Sequence, residues 1–187
     1  MKEELYNKVK NFAPVTLEDV DKLLKKANIC QFKRQENFIS IGQKNNVVGY
    51  LKKGLLRSYF YDDNGNEQTT AFIEQGVFFS ELKSYNTQDL SERTIEAIEP
   101  SEIIIWKLSD INSLRETIPN WQTFEFKYFE KILKDKVNFQ RELTIRTKKE
   151  ALELLITEYP QAARYAPKQY IASFLGMTPY TLSRIKL

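Results

Sequence analysis

Residues 166–187 read APKQYIASFLGMTPYTLSRIKL, and this stretch decides how the rest of the chain is organised. Pro167 can open a short helix in which Ile171, Ala172 and Leu175 face inward. Gly176 can supply the positive φ that a sharp turn requires. Thr178 is placed to cap a second helix, and Pro179 fits its first position, where no backbone N–H is needed. Leu182 and Ile185, three apart, hold that helix against the first. Two short helices joined through a glycine make a helix-turn-helix.

With Leu182 and Ile185 turned inward, Tyr180, Thr181 and Arg184 point outward, and Tyr180 and Arg184 are neighbours on one face. Arg184 can donate two hydrogen bonds to guanine O6 and N7, while Tyr180 and Thr181 offer hydroxyls and apolar edges. Lys168, at the start of the first helix, suits a phosphate contact; Thr178, Ser183 and Lys186 are secondary candidates. The competing reading confines Arg184 to a phosphate contact or a surface ion pair.

Charge supports a polyanion partner at this end. Residues 141–187 carry 8 Lys/Arg against 4 Asp/Glu, net +4, whereas residues 1–140 carry 20 against 21, net −1. A basic module at one end is the footprint of a nucleic-acid reader, although a solvated surface could show the same imbalance. The composition also excludes several chemistries. The 187 residues include no His and one Cys, Cys30, so Cys/His zinc sites, a Cys–His dyad, a Ser-His-Asp triad and an internal disulfide are all unavailable. We expect no enzyme, no metal and no cofactor. The N-terminal MKEELYNKVKNF lacks the apolar run of an export signal, and the most apolar short run, 101–108, has the length of a strand, so we expect a cytoplasmic protein without a membrane partner.

Upstream of the helix-turn-helix the periodicity changes twice. Residues 3–12 and 16–27 read as helices, the second capped by Thr16 with an apolar face of Leu17, Val20, Leu23 and Leu24. From Cys30 the period becomes two. Strands are expected at 31–34, 37–41, 47–52, 55–61, 68–73, 94–98 and 102–106, with tight bends at Lys53-Gly54 and Asp62-Asp63-Asn64-Gly65. Short strands at this spacing indicate a compact barrel or roll. A short helix at 109–117 precedes a long one over 120–143, in which Trp121, Phe124, Tyr128, Phe129, Ile132, Leu133, Val137 and Leu143 recur at three- and four-residue steps, with Phe126 and Phe139 off that stripe. Apolar groups on two faces imply two burials. One face packs on the roll and the other meets a partner subunit, with Phe124, Tyr128, Phe129, Ile132, Leu133 and Val137 as the dimer seam; the alternative tucks one face under the C-terminal domain. Thr147-Lys148-Lys149-Glu150 is a capping box that starts a further helix, closed by Tyr159-Pro160. The expected domains are 1–118, 119–144 and 145–187.

Taken together, these motifs resemble the Crp/Fnr family of bacterial transcription regulators, in a short form common in Bacteroidetes-like genomes. Ile171-Ala172-Ser173-Phe174-Leu175-Gly176-Met177-Thr178-Pro179 followed by Thr181-Leu182-Ser183-Arg184-Ile185 is similar to the family's helix-turn-helix almost position for position. Leu51-Lys52-Lys53-Gly54 with Leu56-Arg57, then Asp63-Asn64-Gly65-Asn66-Glu67, is similar to the early sheet of its cyclic-nucleotide-binding-like roll. The resemblance implies an α+β fold: a jelly-roll-like N-terminal β-roll, a long dimerisation helix and a C-terminal winged-helix/helix-turn-helix domain. It implies a homodimer on an inverted-repeat operator in double-stranded DNA, a small-molecule effector, and RNA polymerase as a partner.

It also implies a ligand site. Members that bind cyclic AMP use a cassette resembling Phe-Gly-Glu-Leu followed by Arg-Ser or Arg-Thr; here stand Phe79-Ser80-Glu81-Leu82 and then Arg93-Thr94. Glu81 would take the ribose-hydroxyl position and Arg93 the phosphate. Ser80 replaces the glycine that approaches the phosphate, and the interval from Glu81 to Arg93 is longer than in those members, so cyclic AMP is not the expected effector. Pro179 and Tyr180 replace the Arg–Glu pair of many members, so the operator should differ. With Leu187 so close behind the recognition helix, any wing is expected at 159–165. The reading from another class is a ligand- or protein-binding roll whose short C-terminal domain no longer reads DNA.

Overall fold

In the computed structural model, which describes residues 1–186, two N-terminal helices lead into a roll of eight strands, and everything after the last strand is helical. α1 (Lys2–Lys10) and α2 (Leu17–Lys25) come first. α2 starts where the sequence places it. The Thr16 hydroxyl accepts the Asp19 N–H at 3.1 Å, and the Asp19 carboxylate accepts the Thr16 N–H at 2.9 Å, a complete capping box. Val20 and Leu23 are buried as expected, but Leu17, at the first helical position, is exposed.

The strands are β1 (Asn28–Phe32), β2 (Asn37–Ile39), β3 (Val47–Lys53), β4 (Leu56–Tyr61), β5 (Glu67–Ile73), β6 (Phe78–Phe79), β7 (Thr94–Ala97) and β8 (Ser101–Lys107). They form two antiparallel four-stranded sheets, ordered β1-β8-β3-β6 and β2-β7-β4-β5. Their facing sides bury Ile39, Leu51, Leu56, Ile73, Phe79, Ile95 and Ile103. Gly54 makes the bend between β3 and β4 at φ +106°, and a Cβ there would stand 2.2 Å from Ser101 Oγ, so both conformation and space demand glycine. Seven strands lie close to their expected positions. β1 begins earlier, at Asn28, and β6 is an addition of only two residues, too short to leave a period. The helix α3 (Leu82–Thr87) that follows β6 is likewise new.

A short helix, α4 (Leu108–Thr117), then turns the chain into α5 (Trp121–Ile145). The N-terminal half of α5 closes the roll. Trp121, Phe124 and Tyr128 join Leu5, Val9, Leu23, Tyr50, Phe78, Trp106 and Leu114 in one core, and the Tyr128 hydroxyl accepts the Phe78 N–H at 2.9 Å. Phe124 and Tyr128 are therefore not dimer-seam residues. At 3% and 2% exposure they are spent on the chain's own roll. The face left open carries Phe126, Leu133 and Val137 at 71%, 64% and 58% exposure, with Ile132 also exposed and Phe129 half-buried.

Four helices complete the chain: α6 (Lys148–Glu158), α7 (Pro160–Tyr165), α8 (Lys168–Phe174) and α9 (Pro179–Arg184). The Thr147–Glu150 capping box forms, with the Thr147 hydroxyl accepting the Glu150 N–H at 3.3 Å. No strand follows β8 among the described residues. The stretch 159–165, expected to hold any wing, is the helix α7 instead, because Pro160 fits the first helical position and starts a new helix where it ends α6. Phe139 of α5 stacks on Phe174 of α8 (5.3 Å between centroids, 20° between planes) and meets Tyr159 edge-on. These rings share a core with Leu155, Ala172, Leu182 and, from the roll, Leu55, Phe72 and Ile98. This cluster, separate from the two inside and beneath the roll, thus joins the roll to the C-terminal helices.

Candidate nucleic-acid interface

The α8–turn–α9 unit is assembled from short-range forces. Gly176 takes φ +62° at the turn, with open space where a Cβ would be, so its conformation alone calls for glycine. The Thr178 hydroxyl accepts the Thr181 N–H at 3.1 Å, and Pro179 holds the first position of α9. Leu182 and Met177 are buried against α8, and Ile185 packs beside them. The outer side then presents Tyr180, Ser183 and Arg184 to solvent, with Thr181 half-buried. Tyr180 is 62% exposed, and the Arg184 guanidinium lies 4.2 Å from its ring centroid. That stacking directs the guanidinium without using any of its donors.

The hydroxyls differ in availability. Ser183 donates to the Tyr180 carbonyl of its own helix at 2.8 Å, and the Thr181 and Thr178 hydroxyls lie 2.9 Å apart. Arg184 and Tyr180 are thus left with the freest donors on α9. Lys168 is exposed at the first position of α8. Sequence reasoning missed Lys148: from the start of α6 its ammonium reaches the Gly176 carbonyl at 3.3 Å, adding a cation beside the turn. Nothing local signals that contact, because it depends on how α6 packs on the turn.

The α8–turn–α9 unit is mounted directly on the roll. β5 is the edge of its sheet, and α8 covers that edge. The Ser173 hydroxyl donates to the Glu67 carbonyl at 3.1 Å and accepts the Thr69 N–H at 2.9 Å, so it takes the place of a neighbouring strand. Arg57, 1% exposed, is sandwiched between Tyr59 and Tyr170, its guanidinium 4.1 and 3.4 Å from their ring centroids, and pairs with Glu67 and Glu96. Glu74 accepts the Ala162 N–H at 2.9 Å, at the start of α7. Burial raises this carboxyl above the ordinary glutamate value, against the opposing pull of the α7 N–H groups.

Several of the residues expected to hold a ligand already have hydrogen-bond partners. Ser80 donates to the Val47 carbonyl at 2.9 Å and accepts from Asn45 at 2.6 Å. Glu81 is buried and caps α3, its carboxylate accepting the Ser84 N–H at 2.8 Å. Thr94 is buried, its hydroxyl accepting the Ile41 N–H at 3.2 Å, and Leu82 is exposed on α3. Arg93 lines an open cleft. Among the described residues no His/Cys/Asp/Glu group could hold a metal ion, and no helix is long and apolar enough to cross a membrane.

Residues 29–117 match the family model of the cyclic nucleotide-binding domain. No curated protein matches the sequence. Among solved structures, FixK2 from Bradyrhizobium japonicum superposes with a TM-score of 0.70 at 19% identity, over 84% of this chain and 81% of that one. The c-di-GMP-responsive global regulator CLP of Xanthomonas campestris gives 0.71 at 13% identity, over 90% and 89%. A Eubacterium rectale protein described as a transcriptional regulator of the crp/fnr family gives 0.69 at 14%, over 93% and 85%. Residues 29–117 thus match a cyclic nucleotide-binding domain, a helical region follows it, and the chain shares the fold of these structures over 84–93% of its length.

Proposed function

We propose that the chain is a sequence-specific DNA-binding transcription regulator, acting in the cytoplasm as a homodimer on an inverted-repeat operator. The observation that carries this reading is the intact α8–turn–α9 unit, whose outer face offers Arg184 stacked on Tyr180 within the basic end of the chain. α9 is the recognition helix. Arg184 reads a guanine edge, while Lys168 and Lys148 contact phosphates. Dimerisation uses the open face of α5. Phe126 and Leu133 are seven apart, Val137 follows four further on, and Phe129 and Ile132 flank them, a spacing that suits a coiled-coil seam. Two-fold symmetry about α5 pairs the two recognition helices on half-sites about one helical turn apart. A small-molecule effector other than cyclic AMP acts on the roll, since Ser80, Glu81 and Thr94 already serve internal hydrogen bonds. RNA polymerase is the partner through which the bound dimer acts.

The test is binding of the purified protein to labelled duplex DNA across a salt series. A reader that neutralises six to ten phosphates loses about 10³–10⁵ in affinity between 50 and 200 mM salt, and its log K falls linearly with log salt. Affinity flat in salt, or no binding at low salt, overturns the reading and leaves a ligand- or protein-binding roll.

A further inference from the structure

The outer face of α9 is defined as much by what it lacks as by what it carries. From Met177 to Leu187 the sequence holds no Asp, Glu, Asn or Gln. In the major groove adenine is read by the amide fork of Asn or Gln and cytosine by a carboxylate, so α9 has no such partner for either base. Arg184 suits guanine. The hydroxyls of Thr178, Thr181 and Ser183 are engaged within the helix and its cap. What stands exposed beside Arg184 is apolar: the Pro179 ring and the Tyr180 ring, the latter 62% exposed. The apolar group that a base presents in the major groove is the C5-methyl of thymine.

The geometry fits two neighbouring bases. The Arg184 guanidinium lies 4.2 Å from the Tyr180 ring centroid, close to the step between successive base pairs of about 3.4 Å. A guanidinium in the plane of a guanine, donating to O6 and N7, therefore sets the Tyr180 ring level with the next base. We propose that Tyr180 is a specificity-determining residue for a thymine stacked beside the guanine that Arg184 reads, and that its ring recognises the thymine C5-methyl group. The inference rests on α9 being the recognition helix, and it adds the second base of the half-site and the atom by which that base is chosen. A 5-methylcytosine in the same place presents the same methyl and is accepted, whereas cytosine and uracil present none. Occupancy of a site with cytosine at that position then responds to methylation of one carbon.

The experiment selects sites from randomised duplex DNA with the full chain as wild type, Tyr180→Ala and Tyr180→Phe. Affinities are then measured for the enriched duplex carrying thymine, uracil, cytosine or 5-methylcytosine beside the guanine. Wild type and Tyr180→Phe should enrich thymine next to guanine, while Tyr180→Ala keeps the guanine and loses the thymine. Uracil differs from thymine by the methyl alone, so it should bind wild type about fourfold more weakly, as expected for one buried methyl group. 5-Methylcytosine should exceed cytosine by the same factor, and both differences should vanish in Tyr180→Ala. A variant that merely disturbed the helix would weaken binding to all these duplexes alike. A motif without thymine beside guanine, equal affinity for the thymine and uracil duplexes, or a methyl preference that survives Tyr180→Ala overturns the proposal and leaves DNA reading intact. Loss of the preference in Tyr180→Phe would place the contact on the hydroxyl and overturn it as well. Absence of any enriched motif overturns DNA reading itself and this inference with it, so the two failures are told apart.

Discussion

Arg184 and Lys168 separate the two kinds of contact a DNA reader makes. The Tyr180 ring beneath the guanidinium of Arg184 fixes its direction and leaves its donors free for a base edge. Arg184→Ala should cost about 1–3 kcal/mol and relax preference at one operator position, whereas Lys168→Ala should weaken binding to all sequences and lower the salt slope by about 1. Binding isotherms on operator variants at several salt concentrations distinguish the two. Asp19 gives a residue-scale test of folding. Burial pushes its carboxyl up, but the hydrogen bonds from the Thr16 N–H and hydroxyl and from Lys22 outweigh this and hold it below the ordinary aspartate value. The folded state therefore binds that proton less readily than the unfolded chain. Its stabilisation is present above the unfolded value near 4 and is lost as pH falls through the folded one. Acid unfolding of Asp19→Asn should show a shallower pH dependence than wild type; identical profiles would remove Asp19 from the account.

At the scale of elements, what is legible in sequence is what is decided locally. Thr16 and Thr147 announce their helices because a capping box lies within four residues, and the Gly176–Thr178–Pro179 run announces α9 for the same reason. The division of labour along α5 is not local. Its apolar stripe contains Phe124 and Tyr128 beside Phe129, Leu133 and Val137 with nothing in spacing to distinguish them, and only the position of the roll decides that the first two are core. Phe139 is taken by the C-terminal helices, so the expectation that one face tucks beneath them holds for the lower part of the same helix. The helix at 159–165 in place of the expected wing has a similar cause: Pro160 reads as a terminator but also suits the first turn of a helix. Two predictions follow from this partition. Phe124→Ala should destabilise the chain by about 3–5 kcal/mol, measured by denaturant unfolding. Leu133→Asp with Val137→Asp should give a folded monomer in sedimentation, with far-UV circular dichroism retained. A double variant that remains dimeric would move the seam elsewhere.

At the scale of the molecule, the C-terminal helices and the roll are one packed body. α8 caps the β5 edge through Ser173, Tyr170 lies on Arg57, and Phe72 meets Phe174 at 5.0 Å. None of this was legible in the sequence, because the partners come from opposite ends of the chain and each has an ordinary local role: Arg57 in a strand, Tyr170 in a helix. The overall order of roll, long helix and helix-turn-helix was legible, since each leaves its own period. Tyr170→Ala should remove a cation–π contact of about 0.5–2 kcal/mol and speed hydrogen exchange at the Thr69 amide, whose acceptor sits on the same helix. Unchanged exchange there would mean that α8 holds the edge without the Arg57 contact.

The central claim is that this packed body presents a working DNA reader. The most direct measurement is selection from a pool of randomised duplex DNA at low salt, with wild type and Arg184→Ala in parallel. The account predicts that wild type enriches an inverted repeat with half-sites about one helical turn apart, and that Arg184→Ala loses preference at one position in each half-site. No enriched motif with wild type, or the same motif and strength with the variant, would contradict it.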